Sequence, residues 1–105
     1  MDGWGRLTPS AGEIWLADRG DEQRRLVFVV SDDRFQQLVG RAVIAPVLEE
    51  VPAALRPWHV PVSGGRAVAV HLLGTAPLER LLERTETTGY ETLRRVRHAL
   101  RSIAG

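Results

Sequence analysis

The sequence predicts an α+β domain, a small and strongly bent antiparallel sheet or barrel followed by one C-terminal amphipathic helix. Three observations carry this reading. Short alternating or β-branched segments recur between Gly12 and Leu73, separated by charged, Gly- and Pro-rich connections. After Thr88, the residues Tyr90, Leu93, Val96, Leu100 and Ile103 recur at spacings of three and four, which is a helical stripe. The strands come before the helix instead of alternating with it, which argues against a parallel sheet.

The first strand is Gly12 to Asp18, GEIWLAD, with Ile14 and Leu16 on one face and Glu13, Trp15 and Ala17 on the other. Arg19 to Arg25 has six charged or Gly residues in seven and reads as a loop. Leu26 to Val30, LVFVV, is continuous and β-branched, as a strand buried on both faces requires. Ser31-Asp32-Asp33 supplies turn and helix-capping side chains, so Arg34 to Val39 is expected to form a helical turn. Arg41 to Leu48 is a third strand whose Pro46 has no donor and belongs near a strand end or at an edge. Trp58 to Val62 reads as a short edge strand, and Ser63-Gly64-Gly65 turns the chain into a fifth strand, Arg66 to Leu73. Gly74 to Pro77 breaks it, Leu78 to Leu82 reads as a helical turn and Glu83 to Thr87 as an exposed strand. Thr88 and Glu91 have the spacing of a capping box at the start of the final helix.

A chain of 105 residues, 44% hydrophobic, fills one core. Residues 1–105 therefore read as one domain, with residues 1–10 as a loose tail. No cysteine is present, which excludes disulfides, thiolate nucleophiles and Cys-based zinc sites. The apolar runs are far shorter than the roughly 20 residues a membrane helix needs, and the first ten residues lack the pattern of a secretory signal, so a cytoplasmic location is expected. All fourteen basic residues are Arg. A GC-rich genome accounts for that blandly; the sharper explanation is the planar guanidinium fork that grips phosphate in two places. With a net charge of only +1, any nucleic-acid contact must come from a local patch.

Few constellations carry chemistry. His59, His71 and His98 fit no zinc spacing and are expected to be separate, although His59 and His71 fall on neighbouring strands where they can meet. Asp18, Asp21, Asp32 and Asp33 are explained by turns and caps without a metal. Trp15 belongs to a core or a dimer interface, Trp58 between Pro57 and Pro61 is the better base-stacking platform, and Trp4 lies in the tail.

Four segments in order support a family resemblance: Gly12-Glu13-Ile14-Trp15-Leu16-Ala17-Asp18, then Gly20-Asp21-Glu22-Gln23, then Arg25 to Asp33 (RLVFVVSDD), then Val43-Ile44-Ala45-Pro46. They resemble the N-terminal half of the MazF/PemK toxins of type II toxin–antitoxin systems. The rest resembles that family in layout only. The resemblance implies an SH3-like barrel of about five to seven antiparallel strands, a homodimer and a cognate antitoxin. It further implies growth inhibition through sequence-specific cleavage of single-stranded mRNA with no metal or other cofactor. The family's catalytic Arg falls on Arg25, with Arg24 beside it as a substitute. Its catalytic Thr or Ser falls on Leu48, its Pro after the Arg falls on Leu26, and its first loop is shortened between Asp18 and Arg25. Glu22, Gln23, Ser31 or Glu49 is then the polar group that replaces the hydroxyl, and Glu22, Gln23, Ser31, Trp58 and His59 are the candidate RNA contacts. Two alternatives remain: a toxin fold that binds without cutting, or a gyrase-binding toxin like CcdB, although the C-terminal Trp-Gly-Ile of that group is replaced here by Ser102-Ile103-Ala104-Gly105.

Overall fold

The structure, a computed structural model, describes residues 8–18 and 23–104; the expectations for Trp4 and Glu22 lie outside these residues. Seven antiparallel strands form one sheet: β1 (Glu13–Asp18), β2 (Arg24–Val29), β3 (Arg41–Leu48), β4 (His59–Val62), β5 (Arg66–Ala69), β6 (Gly74–Pro77) and β7 (Leu81–Thr87). Helix α1 (Asp33–Val39) joins β2 to β3, and α2 (Tyr90–Ala104) ends the chain. The spatial order is β4-β5-β3-β2-β1-β7, with β6 also paired to β3. No helix among the described residues is long and apolar enough to cross a membrane.

Alternation gives the sheet two apolar faces. Ile14, Phe28, Ala45, Val47, Val60 and Val68 pack with Val96 and Ala99 of α2 on one face. Trp15, Ala17, Val27, Val29, Ala42, Ile44 and Leu81 form a second cluster on the other. Side chains link the two ends of this open strand order. The Arg66 guanidinium lies 2.5 Å from one Glu86 oxygen and the Ser63 hydroxyl donates to the other at 2.7 Å, which ties the β4–β5 hairpin to β7. Charge-assisted bonds of this kind are stronger than neutral ones, and here they join strands that share no ladder.

The longest expected strand, Arg66 to Leu73, is interrupted. β5 and β6 pair along the same edge of β3, Val68 opposite Val47 and Gly74 opposite Ile44, with a 3-10 turn, Val70–Leu72, between them. Position numbers sum to 115 across the β5 pairs and to 118 across the β6 pairs, so three residues leave the ladder there. This also explains Pro46, which sits inside a central strand and not at an edge. Val43 bonds toward β2 through both its N–H, to Ser31 Oγ at 2.9 Å, and its carbonyl, from Val30 N at 2.8 Å. Two-residue alternation turns the donorless nitrogen of Pro46 toward the opposite edge, into the gap left by residues 70–72.

The helix ends follow local chemistry in one case and tertiary contacts in the other. Asp32 caps α1 by accepting from Phe35 N at 2.9 Å, and Gly40 ends it with φ of 77°. The capping box expected at α2 is absent: Thr88 Oγ1 donates to the Gly12 carbonyl at 2.6 Å, and Glu91 pairs with Arg94 and Arg95 instead. The ends of the expected stripe on α2 are also exposed, Tyr90 and Ile103 lying outside while Val96 and Ala99 are buried. At the N-terminus the loose tail does not extend to residue 10. Pro9 is buried and its carbonyl accepts from Gln36 Nε2 at 2.6 Å, and Ser10 N donates to Glu13 at 2.8 Å.

Candidate functional site

The face that α2 leaves open carries a groove of about 400 Å³. Ala17, Val27, Ile44 and Pro46 form its floor, and Asp18, Thr75 and Arg80 line it with polar groups. It exists because β1, β2 and β3 present small or β-branched side chains on alternate positions, while the excursion at residues 70–72 and the turn at Leu78–Arg80 raise walls around them.

Arg25 stands on the same face. It is paired directly across from Ala17, which in turn pairs with Leu81 next to Arg80. Arg25 is exposed beside the groove and outside its lining, and its Nη2 donates to Gln23 Oε1, which orients the guanidinium. Arg24 is also exposed, but alternation along β2 places it on the opposite face with Leu26 and Phe28. The two arginines are therefore not interchangeable. Leu48 shares the face of Pro46 by alternation, as Arg25 shares that of Val27, but the β2–β3 ladder ends at Val27–Pro46, two residues short of an Arg25–Leu48 pair, and Leu48 pairs instead with Ala67 of β5.

The remaining candidates are dispersed. Ser31 is buried; its hydroxyl donates to Gln36 Oε1 at 2.7 Å and accepts from Val43 N at 2.9 Å, so it is a structural residue and no substitute for a catalytic hydroxyl. Trp58 and His59 lie beside α2, away from Arg25. Their rings cluster with His71, with centroids 6.2 Å apart for Trp58–His59, 5.6 Å for Trp58–His71 and 5.4 Å for His59–His71. Two of the three histidines expected to be separate thus meet. Burial, followed by the nearby His71 and Arg56 charges, holds His59 below its usual pKa. Its Nδ1 accepts from Arg56 N at 3.2 Å, a bond that only the neutral ring can make.

Sequence reasoning missed Thr75 and Arg80 as groove residues. Gly74 to Pro77 reads locally as a strand break, and only the non-local pairing of β6 with Arg41–Ile44 brings it to the groove. Thr75 is held there by Arg41, whose Nε donates to its hydroxyl at 3.0 Å.

Residues 10–104 match the model of a family described as PemK-like, MazF-like toxin of type II toxin-antitoxin system. No curated protein sequence matches the chain significantly. Among solved structures it is similar to MazF in a MazE–MazF complex from Deinococcus radiodurans, with 23% identity over 95% of this chain and 98% of that one and a TM-score of 0.78. A mycobacterial endoribonuclease in complex with its cognate antitoxin gives a TM-score of 0.77 at 18% identity, over 92% of this chain and 95% of that one. Mycobacterium tuberculosis toxin MazF-mt6 gives 0.72 at 16% identity, over 86% and 93%. At these identities the structural likeness establishes the fold alone.

Proposed function

Because the chain belongs to the PemK-like, MazF-like family of type II toxins, we propose that it cuts single-stranded mRNA at specific sequences, with Arg25 holding the scissile phosphate. The observation that carries this reading is the position of Arg25 on the face of the groove, in one row with Ala17 and Leu81. Cleavage through the RNA's own 2′-hydroxyl places an extra negative charge on the phosphoryl oxygens in the transition state. A guanidinium held beside the groove stabilises that charge more than the ground state. Arg80 on the groove wall supplies a second cation for the adjoining phosphate, and the apolar floor of Ala17, Val27, Ile44 and Pro46 receives a base. Gln23 sets the Arg25 fork through its side-chain bond. Attack by an internal hydroxyl needs no metal, which is why the assay below runs in a chelator.

Helix α1 supports a homodimer. Its buried side chain is the polar Gln36, while Phe35 (39% exposed), Leu38 (82%) and Val39 (50%) face outward. That inverts the usual amphipathic order, and a twofold partner would cover the patch. A cognate antitoxin completes the reading, as the named complexes of the similar structures support.

A second reading, a toxin fold that binds RNA or antitoxin without cutting, is favoured by one observation: Leu48, on the same face as Arg25, offers no hydroxyl. One experiment separates the two. Purified protein is incubated with a long single-stranded RNA in EDTA and new ends are mapped, alongside Arg25→Ala. Cutting that falls by about a hundredfold or more in the variant supports the nuclease. An inert parent protein overturns it.

A further inference from the structure

The face that carries Arg25 has a leucine, Leu48, where a hydroxyl would assist the phosphate, yet another donor already touches the guanidinium. Alternation along β2 puts Arg25, Val27 and Val29 on one face, and Gln23, two residues before Arg25, continues that row. Its side chain meets that of Arg25, whose Nη2 donates to Oε1. We propose that Gln23 is a catalytic residue, its amide Nε2 donating to one non-bridging oxygen of the scissile phosphate while Arg25 holds the other. The inference rests on the RNA-cutting reading above and adds to it the group that stands in for the hydroxyl.

The bond to Arg25 decides which end of the amide is offered to a ligand. A guanidinium has donors and no acceptor, so the atom it meets is the amide oxygen, and the nitrogen with its N–H donors is held on the other side of the amide plane's carbon. Accepting from a cation also polarises the amide and strengthens its N–H groups as donors. Both side chains are exposed, so an RNA strand reaches them without displacing the core. The other polar candidates fail on chemistry. Ser31 is buried and spends its hydroxyl on Gln36 and Val43, and ionised Glu49 accepts hydrogen bonds only, so it repels a phosphate. In the reaction the 2′-oxygen bonds to phosphorus as the bond to the 5′-oxygen breaks, and the proton of the first oxygen reaches the second through solvent. The products are a 2′,3′-cyclic phosphate and a 5′-hydroxyl. Gln23 neither gains nor loses a proton; it donates to charge that grows on the non-bridging oxygen, where a preorganised donor acts most strongly.

The test is single-turnover cleavage by the full chain, in EDTA, of an end-labelled RNA with a phosphorothioate of either hand at the mapped cut site, because sulfur is the weaker acceptor. The parent chain should cut both hands more slowly than the all-oxygen strand. Gln23→Met, close in size and without a donor, should cut the all-oxygen strand about tenfold to hundredfold more slowly. It should also lose the slowing for one hand only and bind an uncleavable 2′-O-methyl strand within about threefold of the parent, as a group acting in the transition state would. Arg25→Ala should lose the slowing for the opposite hand. Gln23 is exposed, and circular dichroism confirms that the variants fold. Relief of the same hand by both variants would reduce Gln23 to an orienting group for Arg25 and overturn the proposal. A Gln23→Met chain that cuts like its parent overturns it too and leaves the nuclease standing, whereas a parent chain that cuts nothing overturns both.

Discussion

Replacing Leu48 by Thr tests whether the chemistry at Arg25 lacks only a hydroxyl. Leu48 is half-buried on the same face as Arg25, two residues beyond the last β2–β3 pair, Val27–Pro46. Neighbouring side chains on one face of adjacent strands lie about 4.5–8 Å apart, within the span of one phosphate and its two contacts. A preorganised donor to a developing oxyanion contributes about 2.7–4 kcal/mol. A hydroxyl added to a site not built around it should recover part of this, on the order of 1.4–2.7 kcal/mol, or a tenfold to hundredfold faster cleavage step. The fold should bear the change, since a half-buried Leu gives up only about 1 kcal/mol of burial. Leu48→Val, the isostere of the Thr variant, separates the hydroxyl from the loss of volume. The assay is single-turnover cleavage of an end-labelled RNA in EDTA. Equal rates for the Val and Thr variants, or a Thr gain that persists when Arg25 is also changed to Ala, would refute the reasoning.

Three further outcomes are expected. Glu13 is 7% exposed and accepts from Ser10 N, Trp15 Nε1 and Arg84 Nη1 at 2.8, 2.9 and 3.2 Å; Glu13→Ala strands one buried and one part-buried donor and should cost about 2–4 kcal/mol in urea unfolding, whereas Glu13→Gln keeps an acceptor and should cost about 1 kcal/mol. Hydrogen bonds from Ser63, then from Arg66, hold the Glu86 carboxyl below its usual pKa. As pH falls below about 4.3 the unfolded chain binds that proton first, so the urea midpoint should drop with acid, and Glu86→Gln should flatten that part of the profile. Leu38→Glu places a charge on the exposed face of α1 and should convert a dimer to monomers in analytical ultracentrifugation with unchanged circular dichroism; an unaltered sedimentation profile would exclude that face as the interface.

Local chemistry in the sequence determined the class and most of the elements. Alternation around Trp15, the β-branched run after Leu26, Asp32 before α1, and the stripe through Leu93 and Val96 are patterns of neighbouring residues, and each lies in the element expected of it, although β2 starts at Arg24, inside the expected loop, and ends at Val29. The segments that resemble the toxin family lie in the same stretch, which is why membership and the candidacy of Arg25 could be read before the fold. Only the tertiary structure decided the rest. It placed Arg24 and Arg25 on opposite faces, turned Gly74 to Pro77 from a break into a strand, carried Arg80 to the groove, gathered Trp58, His59 and His71, and engaged Ser31 and Thr88 in bonds to distant backbone or to Gln36. The reason is physical. A strand or helix is selected by the chain within a few residues of itself, whereas the company a side chain keeps depends on which ladder forms across the sheet, and a slip of one residue reverses its face.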